Sequence, residues 1–154
     1  MLNPALLFQH SVIYGAILSM LMLFLFIGIA YLNPEIWLKD YPPDIQDKFG
    51  SISKKAKQQR RLVAIRVFLV LFGIIILSII QLRQISGGEL TFLDIFLSTF
   101  VILQTFNLVD LLILDWLIFV TVRPSFIILP GTEGLQGYSD YGFHFRAFLK
   151  GVVG

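Results

Sequence analysis

The chain reads as an all-α integral membrane protein, with three transmembrane helices and a short amphipathic helix at its C-terminal end. Three observations predict this class. Apolar residues make up 56% of the 154 positions and charged residues only 14%. A soluble domain of this size leaves too much surface exposed to hide that excess, so the bilayer must act as its solvent. The apolar residues gather into three runs, at about 12–32, 62–82 and 95–122. Each is long enough to cross a ~30 Å hydrocarbon layer at 1.5 Å per helical residue. The basic residues, finally, are distributed unevenly along the chain: residues 33–61 hold seven Lys and Arg against four acids, 123–154 hold three more, and the opposite side offers only Arg83.

The first span, 12–32, exceeds the apolar core of a signal peptide, and no Lys or Arg precedes it. Gly15 and Ser19 form a small-xxx-small pair, with Gly28 as a second thin spot, where a neighbouring helix can approach closely. Asn33-Pro34 ends the helix, and Trp37 and Tyr41 fall where an interfacial aromatic belt would stand. Pro42-Pro43 excludes regular helix from the polar loop 33–61. Ser53 has the character of an N-cap for a helix that starts KKAKQQRR and runs unbroken into the second span, 62–82. Arg66 lies about one turn inside that span, where its head can reach back to the interface or meet an acid.

Gly87-Gly88 marks a short connection, and Asp94 lies near the start of the third run. As straight helix, residues 95–122 would extend ~42 Å, more than the hydrocarbon layer requires. The helix must tilt, extend or bend, with Asn107 as the expected point of distortion. Arg123-Pro124 stops it, and the Gly-rich stretch that follows reads as an irregular loop. In the last twelve residues Phe145, Phe148, Leu149 and Val152 share one helical face, the pattern of a helix lying in the interface. The rival reading is the start of a fourth span. By the positive-inside rule, the 33–61 loop and the C-terminal segment 123–154 are cytoplasmic and the N-terminus lies outside. A single membrane domain, 1–154, is predicted.

Polar groups within the third run carry the functional expectation. Acids are costly in hydrocarbon, and those found there are shielded, paired or functional. With α-helical geometry Gln104, Asn107 and Asp115 share a broad face and Asp110 stands at its edge. Asn107 is the expected companion of Asp110. Arg66, on the antiparallel second helix, is the expected ion-pair partner of Asp115. Polar groups on one helix of a small bundle also predict a second copy or a membrane partner to help bury them.

Lys54, Lys55, Lys57, Arg60 and Arg61 flank a span, so anionic lipid headgroups are their expected partners and nucleic acid is not. Near the C-terminus Glu133, Asp140, His144 and Arg146 supply acid, base and anion-binding types in one Gly-rich segment, weak candidates for catalysis. With no cysteine and two histidines, no thiol chemistry, metal centre or other cofactor is predicted.

Three function classes follow from these groups. The leading expectation is a transporter or channel-like module, or a subunit of one, with Asn107, Asp110 and Asp115 along a polar path. The second is a membrane enzyme acting on a lipid-linked or amphiphilic substrate at the cytoplasmic face. The third is a structural assembly factor. From Tyr41 onward, YPPDIQDKFG, NLVDLLILDW and PGTEG…DYGFHFRAFLKG together resemble a group of small bacterial multi-span membrane proteins of unassigned function. That resemblance implies a bacterial cytoplasmic membrane and brings no activity with it.

Overall fold

The computed structural model describes residues 2–153. It is helical throughout, with no strand among the described residues, and three helices are long and apolar enough to cross a membrane. The first, α1, runs from Pro4 to Leu32. Pro4 opens it, and the Asn3 side chain accepts from Ala5 N at 2.9 Å. The helix therefore starts eight residues before the expected position. The polar Gln9-His10-Ser11 triplet does not interrupt it, because His10 and Ser11 turn inward and find partners. His10 Nε2 lies 3.1 Å from Ser78 Oγ, and Ser11 Oγ lies 2.8 Å from Ser98 Oγ.

The loop 33–61 contains more helix than its prolines suggested. A 3₁₀ segment spans Pro34–Asp40, and α2 spans Pro43–Phe49 with Pro43 in its first turn. Proline is tolerated there because a first-turn N–H has no helical partner to lose. Next comes α3, Lys54–Ile85, capped as expected by Ser53, whose hydroxyl accepts from Ala56 N at 3.1 Å.

The third long helix begins as α4, Phe92–Val109. Thr91 and Asp94 cap it reciprocally: Asp94 N donates to Thr91 Oγ1, and Thr91 N donates to Asp94 Oδ2 at 3.0 Å. At Asp110 the winding changes to a π-helix that persists to Val122. The bend expected near Asn107 is thus a change of hydrogen-bond register three residues later. A π-helix closes its bonds from i to i+5, with more residues per turn, so it takes up part of the surplus length. Arg123 N closes the last of these on Ile118 O at 2.8 Å. Arg123 itself is left-handed (φ 48°) and ends the helix before Pro124.

In the bundle, α1 is central. It packs along α4 and against α3, whereas α3 and α4 touch only slightly. Leu18 and Met22 of α1, Ile74 of α3 and Ile102 of α4 form its buried centre. Gly15 makes the α1–α4 contact possible, since a Cβ there would stand 2.5 Å from Thr105 Cβ and 3.1 Å from the Ile102 carbonyl oxygen. Gly28, the second expected thin spot, faces open space.

The region expected as an irregular loop folds into a cap with its own core. Short 3₁₀ turns at Ser125–Ile127 and Gln136–Ser139 bring Ile127, Leu129 and Tyr138 onto Leu38, Tyr41, Ile45 and Phe119. Tyr41 Oη donates to the Ile127 carbonyl at 2.7 Å, and Gly137 N donates to Asp44 Oδ2 at 2.8 Å.

The last helix, α5, spans Tyr141–Val153. It does not run across the bundle end as an interfacial helix would; it runs antiparallel along the third helix. Its residues pair in descending order: His144 with Asp115, the Phe148 carbonyl with Asn107 Nδ2 (3.1 Å), and the Gly151 carbonyl with Gln104 Nε2 (3.4 Å). Gly151 allows this approach, because a Cβ there would press on the Asn107 amide at 2.7–3.0 Å. Of the apolar stripe read from the sequence, Phe145, Leu149 and Val152 are exposed, whereas Phe148 is half-buried.

Candidate functional site

A cavity of about 460 Å³ lies where α1, the 3₁₀ segment, the π-helix and α5 meet. No residue of α3 lines it. Its walls are mostly apolar: Phe26 and Ala30 from α1, Phe106 from α4, Leu114 and Ile118 from the π-helix, and Phe143 from α5. Among these stand the polar side chains of Trp37, Lys39, Asp40, Asp110, Asp115 and His144. A few convergent polar groups in an apolar hollow of this size is the usual make-up of a small-molecule site.

The π-helix places both of its acids in this hollow. In an α-helix, residues five apart point ~140° away from one another. With i to i+5 bonding they return to one side, so Asp110, Leu114, Asp115, Ile118 and Phe119 all line the cavity. Asp110 thus stands beside Asp115 rather than at the edge of a shared Gln104–Asn107 face.

Asp115 pairs with His144: Oδ1 lies 3.0 Å from Nδ1, with side chains 21% and 4% exposed. Asp115 and Arg66 do not meet. Arg66 is exposed on α3, and α1 stands between α3 and the third helix, so the expected antiparallel neighbours are not neighbours. Asn107 likewise does not accompany Asp110; its amide is committed to α5, as is that of Gln104. The four polar residues of the third helix therefore separate by role. Gln104 and Asn107 dock a helix, and Asp110 and Asp115 line a cavity. Docking by α5 of the same chain accounts for the partial burial of Gln104 and Asn107.

Three polar atoms at the cavity are buried without a hydrogen-bond partner: Asp110 Oδ1, His144 Nε2 and Trp37 Nε1. Buried polar groups are ordinarily satisfied, and orphans mark sites of strain or use. With Nδ1 engaged by a carboxylate, the His144 imidazole is oriented and its Nε2 is left without a partner.

At the rim, Asp40 is exposed on one edge. Desolvation by the surrounding cap raises its carboxyl above the ordinary carboxylate range; Arg60 opposes this, Asp115 adds to it, and Lys39 opposes it. Burial likewise pushes the Tyr41 phenol up, with Tyr138 and Asp40 adding to the effect. Among the described residues no Lys or Arg nitrogen comes within 4.0 Å of Asp40, Asp110 or Asp115, and no three His, Asp or Glu side chains gather as a metal site.

The other candidates near the C-terminus do not assemble around His144. Asp140 accepts from Phe143 N at 2.8 Å and faces Arg146 across 3.8 Å at the surface, a pairing of little energetic weight. Glu133 accepts from Gly131 N within its own turn. Lys54, Lys55, Lys57 and Arg61 are exposed on the first two turns of α3, and Arg60 is half-buried beside the cap. Sequence reasoning missed Lys39, Asp40 and the aromatic walls. Their signal was the segment PEIWLKDY, where Ile36, Leu38 and Tyr41 recur at the spacing of a folded element between two prolines.

Compared with family models, curated proteins and solved structures, the chain finds no match among any of the three.

Proposed function

We propose that the chain is a multi-pass membrane protein of the transporter type, or the substrate-binding subunit of such an assembly. The hollow between α1, the π-helix and α5 is its binding site. The convergence of Asp110 Oδ1, His144 Nε2 and Trp37 Nε1, all unpartnered, on one apolar-walled cavity carries this reading. Ionisable groups at such depth in a span serve substrate or ion pathways more often than they serve stability. In this reading the three long helices cross a bacterial cytoplasmic membrane, with the 33–61 loop on the cytoplasmic side and its basic residues against anionic headgroups. The α5 helix then packs along the loop-side part of the third span, with Arg146 and Lys150 exposed beside its outward Phe145, Leu149 and Val152.

A second reading is favoured by one observation, the 3.0 Å contact between Asp115 and His144. A carboxylate that orients an imidazole is how a general base is held in position, and an amphiphilic substrate reaching the cavity would meet that base.

The native chain contains no cysteine, so single cysteines test both readings without background. Leu114→Cys and Ala147→Cys both place a thiol in the cavity wall. A membrane-impermeant maleimide is applied to each face of the membrane in turn. Labelling of Leu114→Cys from both faces is the expected result for a translocation path. Labelling from the loop side alone favours the enzyme reading, and protection from both faces overturns the two together.

A further inference from the structure

We propose that the cavity selects an amphiphilic organic cation: a positively charged head, such as a quaternary ammonium or phosphonium, carrying apolar groups. The inference rests on the reading of the cavity as a binding site and adds the charge and shape of its occupant. Charge comes first. Three carboxylates, Asp40, Asp110 and Asp115, face the hollow; the only Lys or Arg among its lining is Lys39, exposed at the rim. None of the three carboxylates has a Lys or Arg nitrogen within 4.0 Å among the described residues. An anion would meet this ring of oxygens with only Lys39 in the lining, and Arg60 near Asp40, to hold it.

The walls give the second argument. Phe26, Trp37, Tyr41, Phe106, Phe119 and Phe143 surround the carboxylates. Aromatic faces attract cations that have shed their water, and quaternary ammonium groups are the usual guests of such cages. A small hydrated metal ion needs a tight shell of oxygens or nitrogens instead, and no three-ligand cluster exists among the described residues.

The site is also not closed on itself. His144 is 3% exposed, yet its Nε2 has no partner, and neither has Asp110 Oδ1. Neither atom is engaged within the fold, so the Asp110 oxygen is free to face a cationic head.

Tetraphenylphosphonium and tetraphenylborate have nearly the same shape and opposite charge, which makes them suitable probes. Each is titrated calorimetrically into the full chain in lipid nanodiscs, with empty nanodiscs subtracted for partition into lipid. Saturable binding of the phosphonium and none of the borate is expected. Asp110→Asn should weaken phosphonium binding by about tenfold, and Asp40→Asn, at the exposed rim, by less. Asp40→Asn keeps the test valid should the first variant fail to fold.

Equal binding of both ions overturns the cation assignment and leaves an apolar binding site intact. Binding of the phosphonium that is unchanged in both variants also overturns it. Absence of both ions overturns it too; combined with a cavity closed to maleimide from either face, it would remove the underlying reading as well.

Discussion

Two polar clusters lie at opposite ends of the same bundle, and they are finished differently. At one end His10, Ser11, Ser78, Ser98, Thr91 and Asp94 join α1, α3 and α4. Each has a partner: imidazole to Ser78, hydroxyl to hydroxyl, and carboxylate to a helix N-terminus. At the other end Asp110, His144 and Trp37 each leave a buried polar atom unpaired, and a cavity separates them. The first cluster is an interhelical joint. The second has the same chemistry with the joint left open, and that difference is what supports reading it as a binding site.

The comparison is broken most forcefully at the closed end. His10→Ala removes the bonds to Ser78 and the ring contact with Tyr14, whose centroid lies 4.7 Å away. Interhelical hydrogen bonds in membranes average about 0.6 and reach about 1.7 kcal/mol, and a lost ring adds a packing defect, so a loss of about 1–2 kcal/mol is expected. The measurement is reversible unfolding in mixed micelles. A neutral result would mean that the joint contributes nothing and that satisfied polar groups say little here.

Next in size is the coupling between Asp115 and His144. A double-mutant cycle with Asp115→Asn and His144→Gln isolates it, and about 1 kcal/mol is expected for a hydrogen-bonded pair. Coupling near zero would detach His144 from Asp115 and with it the oriented imidazole.

How far the sequence revealed this arrangement depended on whether a residue's partner was local. Ser53 and the reach of α3 were legible because an N-cap needs only the residues that follow it. The three long apolar runs were legible because the hydrocarbon layer imposes a length on each. Asp115 was flagged correctly as costly and given the wrong partner, because Arg66 on α3 was taken for a neighbour and α1 lies between. Nothing in LLILDWLIFV reveals a π-helix: the run is apolar on every side and has no periodicity to shift. Yet that winding is what brings Asp110 and Asp115 together. The packing of α5 along the third helix was hidden for a similar reason. Phe145, Leu149 and Val152 form an exposed stripe, but the neighbouring face, with His144, Phe148 and Gly151, meets polar partners on the third helix.

Asp40 supplies a smaller effect, read through pH. Its carboxyl is raised by desolvation, so the folded chain holds this proton more tightly than the unfolded chain. The favourable contribution is present below the ordinary carboxylate range and is lost as pH rises through the raised folded value. Asp40→Asn should therefore gain on the native chain in melting temperature as pH rises above the ordinary carboxylate value of about 3.9. The gain should be slight, because Asp40 is exposed on one edge and Arg60 and Lys39 oppose the shift. A variant that loses ground as pH rises would show instead that Arg60 holds Asp40 in its charged form.

The smallest expected effect is the most discriminating. The Asp110 side chain makes no hydrogen bond or ion pair among the described residues, and its Oδ1 is buried without a partner. Asp110→Leu therefore orphans no donor and takes an acid out of an apolar wall. Replacing a buried charged group with an apolar one of similar volume is often neutral or stabilising. Stability within about 0.5 kcal/mol of the native chain, or above it, is the expected outcome. The same unfolding measurement that shows a loss for His10→Ala should show none here. A loss comparable to that of His10→Ala would make Asp110 part of the scaffold and erase the contrast between the two ends. An unchanged or raised stability would leave a carboxyl that the fold does not need, beside an imidazole with a free nitrogen, in a cavity built around both.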